Sequence, residues 1–476
     1  MVARVDVAGK GAILSLFGHP EINAKGKGIL LPALCHSHIH IDKCFLLDQC
    51  LPLQSGTFGE ALKVTTTAKS RFPHMLDDVY ARGKRLVVES VQCGVTSMRA
   101  HVEVDKIVHT GCLDVALRLK EEFRDMCEIQ ISGTFLLSCC QVILFTCIEL
   151  LGKPTTVFAQ DPLFDSKDAA VPGVNYDVLL EAARTSGVSS IGSAPYVEPS
   201  TAQALQNISL LLALALNHDL LVDFHLDYNI NPTSEPLIYA LLDSMKAHKW
   251  TSRSRKVTIG HGTRYSLFTS DDWTRLKAAI GDLPVAFVGL PQSDTYMMGK
   301  GGEDPALLPP RGTIPVPFVA SHGLEVSLSI NNIDNAFTPQ GTVDPLGLCT
   351  LGVALYQDAT PAACRTLLKC VSTSSKSAIG LDPNPADLLI KPGDAADFVL
   401  LHDNHSIQSA VLNPSYARTT IRGGLIVATR RVERWSASSS RSRHSLLRGT
   451  NWGVWVAACL TLSVWGCWRM KGALGR

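Results

Sequence analysis

Short apolar runs alternate with stretches of helical periodicity along most of this chain. The runs fall at 29–35, 95–104, 128–131 (resuming at 157–159), 189–194, 220–226, 256–260, 284–289 and 325–330. Each reads as a buried strand, because a strand covered on both faces needs no polar alternation. Between them, 77–92, 113–126, 202–216, 237–247 and 271–280 repeat apolar residues at helical spacing. Eight strands with intervening helices predict an α/β chain folded as a (β/α)₈ TIM-type barrel. Beyond it, 391–401 and 419–427 predict short strands that join the N-terminal residues in a small β-sandwich. The expected boundaries are 1–30 and 385–428 for the sandwich, 31–384 for the barrel, and 429–476 for a Ser/Arg-rich linker and apolar tail.

Two segments break this pattern. Residues 132–156 interrupt the third strand with Leu, Cys, Phe and Ile. A membrane span embedded between barrel strands has no workable topology. Against the family resemblance given below, the segment is an insertion of 25 residues; a retained intron, suiting a eukaryotic, fungal gene, is the first explanation and a natural loop inside the strand the alternative. The second is 452–468, a run of 17 apolar-rich residues. At 1.5 Å per residue it spans about 25 Å, marginal for a bilayer core. It is a candidate tail anchor; without it the chain reads as cytoplasmic.

Composition narrows the partners. The net charge is +1 and 18% of residues are charged, so no basic field points to nucleic acid. The 14 cysteines have no regular spacing and no secretory leader is evident, which favours free thiols in a reducing compartment.

The chemistry concentrates at His36-Ser37-His38-Ile39-His40-Ile41-Asp42-Lys43. Alternating side chains on a strand share a face, and two imidazoles so placed can grip one divalent cation. His38, His40, His101, His225 and His261 all fall at or near the ends of expected strands. Active residues of a (β/α)₈ barrel gather at that face.

With these residues in place, the chain resembles the amidohydrolase superfamily, and within it the cytosine deaminase-like metal-dependent hydrolases. The likeness covers most of 28–427 and rests on His38-Ile39-His40-Ile41-Asp42-Lys43, Phe158-Ala159-Gln160, the His225 strand, Gly260-His261 and Gly393-Asp394-Ala395-Ala396-Asp397. It implies one divalent metal, Zn²⁺ or Fe²⁺, with His38, His40 and His225 as ligands and His36 a bystander. It also implies that His261 orients the attacking water or stabilises the oxyanion, and that Gln160 contacts a small heterocyclic substrate, with His101 and Asn332 lining the same site. The reaction implied is hydrolysis of a non-peptide C–N bond in a cyclic amide or amidine.

Two positions depart from that pattern. Where the resemblance expects a proton-shuttling glutamate after the third ligand, the chain has Tyr228, whose ordinary pKa is about 10. Where it expects two aspartates, the first a ligand and base, it has Asn331 and Asn332. Asn331 remains as a weak fourth ligand. Asp227, Asp334 and His261 are the candidates for the missing acid–base work. The second reading is a catalytically impaired barrel that binds or scaffolds.

Overall fold

The computed structural model describes residues 4–8, 11–15, 22–23, 27–130, 155–299, 310–383, 385–433 and 435–436. Its contacts divide the chain into two units, Met1–Arg431 and Val432–Arg476; the first carries the barrel. Eight strand positions run parallel: β1 (Leu34–His40), β2 (Val95–Glu103), β3 in two pieces (Glu128–Gln130 and Thr155–Ala159), β4 (Val188–Ser193), β5 (Leu221–Leu226), β6 (Val257–His261), β7 (Val285–Gly289) and β8 (Val326–Leu328). They pair in sequence order. The ring closes just beyond β8, where His40 N donates to Asn331 O at 2.8 Å and Asn331 N to His38 O at 3.1 Å.

Parallel neighbours need crossovers. Helices Leu76–Gln92, Gly111–Phe123, Val174–Ala183, Thr201–His218, Ile238–Ala247 and Ser270–Ile280 supply most of them. Each turns an apolar stripe inward, such as Leu86, Val87 and Val91 on the first and Leu211, Leu212 and Ala215 on the fourth. The fourth begins where Ser200 Oγ accepts from Gln203 N and ends at Asp219, which takes a left-handed conformation. Both are ordinary devices for satisfying orphaned helix-end groups.

The run 29–35, expected as one barrel strand, is two. Ile29–Pro32 pairs antiparallel with Phe398–Leu401, which pairs with Arg418–Arg422 and through it with Leu425–Arg430. Arg4–Ala8, Gly11–Ser15 and Ile22–Asn23 form a separate antiparallel sheet. The apolar pattern is continuous across both strands; the break falls at Pro32-Ala33, where Ala33 N donates to Asp397 O and Leu34 N to Gly94 O. The barrel strand therefore extends to His40 and carries the histidines within it.

The third strand keeps its register across the insertion. Gln130 pairs with Arg99, and Thr156 pairs with His101 on the same strand β2. Two steps along β2 correspond to 26 along the chain, so 24 residues, not 25, are surplus to the ladder. Residues 131–154 lie outside the described residues, as does the 452–468 run. Among the described residues no helix is long and apolar enough to cross a membrane.

Candidate metal centre

The barrel interior holds a cluster of buried imidazoles. His38 and His40 come from β1, His101 from β2, His225 from β5 and His261 from the end of β6; none is more than 4% exposed. Ring centroids lie 4.0 Å apart for His38 and His101, 4.6 Å for His38 and His225, and 5.4 Å for His40 and His225. The backbone makes room for this. A Cβ on Gly260 would sit 3.1 Å from His38 Cε1 and 3.2 Å from His38 Nδ1, so a glycine at this place in β6 lets the His38 ring lie flat over it.

His36 is not part of the cluster. A register irregularity between His36 and Ile39 breaks strict alternation along β1. His36 Nε2 instead contacts Ser90 Oγ at 3.2 Å, on the helix Leu76–Gln92. Burial lowers its pKa to about 4.

The tightest set of potential ligands is His38, His101, Asp223 and His225, whose donor atoms all lie within 4.8 Å of one another. Asp223 was not singled out from the sequence, although it stands two residues before His225 and so shares its face of the strand. Its Oδ2 accepts from Arg99 Nη1 at 3.1 Å. Its Oδ1 lies 3.6 Å from His38 Nδ1 and 3.4 Å from His101 Nε2. Burial acts to raise the Asp223 carboxyl, but His101, His38 and Arg99 outweigh it and hold the group below its ordinary range.

This donor set fits a divalent cation. Both ring nitrogens of His38, Nε2 of His225, Nδ1 of His40, Oδ1 of Asp223 and Oδ1 of Asn331 are buried without a hydrogen-bond partner. Buried polar atoms left unpaired are costly, each about 1–3 kcal/mol, so their convergence calls for a shared partner. Burial, aided by neighbouring histidines or, for His40, first by Lys43, pushes His38, His40 and His225 well below the ordinary imidazole pKa. They are neutral near pH 7, which is the ligating form.

Beside the cluster opens a small cleft with a cavity volume of about 20 Å³. His40, His225, His261, Asn331, Asn332 and Gln160 line it together with Lys43, Phe58, Tyr196, Tyr228, Ser293 and Phe337. Phe58, Tyr196, Tyr228 and Phe337 give it largely aromatic walls. His101 is not on the wall; it sits among the candidate ligands, because β2 points it toward Asp223. Asn332 Oδ1 accepts from Asn335 Nδ2 at 2.8 Å. Asn331 adopts φ +69°, and its Nδ2 donates to Ser293 Oγ at 2.8 Å, leaving Oδ1 free.

The candidate carboxylates are placed elsewhere. Asp227 accepts from Leu237 N at 2.8 Å, Ile238 N at 3.1 Å and the Tyr265 hydroxyl at 2.6 Å; it caps the helix Ile238–Ala247 instead of facing the pocket. Asp334 is absent from the pocket wall, its carbonyl accepting from Leu46 N and Leu47 N. Tyr228 lies on His261 with ring centroids 3.9 Å apart, and burial raises its phenol well above the ordinary value. Glu103 reaches the pocket's Lys43, at 2.5 Å, and the carboxylate in contact with a pocket histidine is Asp294, whose Oδ1 is 2.7 Å from His261 Nδ1. No spacing rule reveals it, because the two meet only through the turn that follows β7.

A closed parallel barrel, a flanking antiparallel sheet and a histidine cluster at the strand ends define a (β/α)₈ barrel with a candidate metal centre. No family model matches the chain. The chain is 22% identical over 412 residues to N-isopropylammelide isopropyl amidohydrolase of Pseudomonas sp. (strain ADP), covering 86% of this chain and 87% of that one. The 5-methylcytosine deaminase of Klebsiella pneumoniae superposes with a TM-score of 0.73 at 19% identity, over 90% of this chain and 96% of that one. An adenosine deaminase of Xanthomonas campestris with bound zinc superposes with a TM-score of 0.54 at 13% identity, over 88% and 86%. The chain shares the (β/α)₈ barrel fold of these structures.

Proposed function

We propose that this barrel is a divalent-metal-dependent hydrolase that cleaves a non-peptide C–N bond of a small cyclic amide or amidine. One observation carries the reading: neutral, unpartnered imidazoles converge beside an aromatic-walled cleft whose lining includes Gln160. Relatives named for an ammelide amidohydrolase and for cytosine and adenosine deaminases support a heterocyclic substrate.

His38, His40 and His225 hold the ion, with Asn331 Oδ1 as a neutral fourth contact. When bound, Zn²⁺ or Fe²⁺ supplies a water whose pKa falls toward ~7 and a Lewis acid for the carbon under attack. Gln160 hydrogen-bonds the ring edge, and Phe58, Tyr196 and Phe337 exclude solvent from its faces. Tyr228 packs against His261 and restricts its ring. His261 stands at the pocket wall where the attacking water and the departing nitrogen meet.

A second reading is favoured by Tyr228 and Asn331: the barrel binds metal and ring but does not turn over. Metal analysis and a screen of cyclic amides and aminopyrimidines separate the two. Stoichiometric Zn²⁺ or Fe²⁺ with release of amine supports the hydrolase; stoichiometric metal and saturable ring binding without product supports the second reading. A protein that takes up neither metal removes both.

A further inference from the structure

We infer that Asp294 is a positioning residue that locks His261 into one tautomer, so that the pair performs the proton transfers for which positions 228 and 331, Tyr and Asn here, supply no carboxylate. The inference rests on the hydrolase reading. It begins with elimination: Tyr228 and Asn331 stand at the two carboxylate positions, Asp227 is consumed by three hydrogen bonds at a helix start, and Asp334 is off the wall. No Asp or Glu is on the pocket wall among the described residues.

Asp294 reaches the pocket only through His261. It is fully buried, and its two oxygens have separate duties. Oδ1 contacts His261 Nδ1 at 2.7 Å, while Oδ2 accepts from Thr313 Oγ1 at 3.0 Å and Leu290 N at 3.3 Å. The carboxylate is thus fixed from the start of its own helix and from Thr313 before it meets the imidazole. His261 itself is held in a left-handed backbone at φ +68°, followed by Gly262 at +59°, and its ring is sandwiched by Tyr228.

A carboxylate at Nδ1 places the imidazole proton there and leaves Nε2 with its lone pair. The proton balance then closes on one atom. As the water oxygen bonds to the ring carbon, the C=N π pair moves onto the ring nitrogen and one water proton passes to Nε2. As the C–N bond breaks, that pair re-forms C=N, the proton passes from Nε2 to the departing nitrogen, the second water proton stays on the product's hydroxyl oxygen, and His261 returns to its starting state. Asp294 keeps its charge throughout and stabilises the transient imidazolium, much as in hydrolases that use a His–Asp pair.

The test uses the full-length Zn²⁺-loaded protein and two readouts. Side-chain ¹⁵N NMR, with the His261 signals assigned by their loss in His261→Gln, is expected to show the Nδ1–H tautomer in the parent. Asp294→Asn can donate to Nδ1, and is expected to convert His261 to the Nε2–H form. On a ring substrate found in the screen, Asp294→Asn is expected to lower kcat at least 10²-fold, the range of general acid–base catalysis, with KM changed less than about threefold. The double variant with His261→Gln should be no slower than His261→Gln alone. If Asp294→Asn does not fold, Thr313→Val, which removes one support of Oδ2, should lower kcat several-fold and broaden the Nδ1–H signal. A parent in the Nε2–H form, or an Asp294→Asn with unchanged kcat, overturns the inference. A parent that turns over no ring refutes the hydrolase reading instead, and the tautomer measurement still decides whether Asp294 sets His261.

Discussion

At the scale of single residues, the centre is a balance between neutral imidazoles and scarce negative charge. Asp223 is the buried carboxylate nearest the candidate ligands, and Arg99 holds its other oxygen. Asp223→Asn should therefore cost metal affinity about 10–100-fold, the usual effect of removing a group that orients a ligand. It should also cost stability of about 3 kcal/mol, since Arg99 is left buried without its counter-charge, keeping its bonds to Thr258 Oγ1 and Ile379 O. Equilibrium dialysis and thermal melts check the two effects. Asn331→Asp should act in the opposite sense, tightening Zn²⁺ on the order of tenfold because ligand charge count tunes affinity. Together with Tyr228→Glu it should raise or create amine release in the substrate screen. His36 gives a separate pH test, because it lies outside the metal site. Its folded pKa of about 4 is below the unfolded value of 6.5, so its contribution is present above pH 6.5 and is lost as pH falls toward 4. That window is worth up to about 3 kcal/mol. Urea melts of the metal-free protein should lose stability there, His38, His40 and His225 adding to the loss, and His36→Gln should make the acid limb shallower by its own share.

At the scale of elements, much of the barrel was legible and some of the site was not. Helices such as 237–247 and 271–280 match Ile238–Ala247 and Ser270–Ile280 closely, because an amphipathic stripe states both the element and its buried face. The run 29–35 misled because apolar character does not say which sheet a strand joins; the partner strand Phe398–Leu401 lies far along the chain. His225 and His261 were visible as polar residues at the ends of apolar runs. Asp294 was invisible, since its relation to His261 exists only once β7 and the helix Pro291–Met297 are folded. The same packing makes β6 intolerant of side chains at Gly260. Gly260→Ala should push the His38 ring aside, weakening Zn²⁺ binding about tenfold or more while melting temperature changes little, because the clash falls on a ligand and not on the barrel wall. Competitive chelator titration reads this directly.

At the scale of the whole molecule, the bridge between Ile39 and Asn331 closes the ring of strands, bringing the two ends of the barrel sheet into the same site. The interrupted third strand has a different consequence, one of odd and even numbers. Side chains along a strand alternate sides, so removing an even number of residues preserves which ones face the interior, and removing an odd number exchanges them. The surplus in the β3 ladder is 24, an even number and a whole count of codons. Joining Ile131 directly to Thr156 would therefore leave Phe158 against His225 and Gln160 on the pocket wall. A 24-residue excision of 132–155 should fold, melt no lower than the parent and bind the same amount of Zn²⁺. Taking one residue more, 132–156, should invert that face and lose both. A chain that tolerates the even cut and not the odd one has kept the blueprint of an uninterrupted strand.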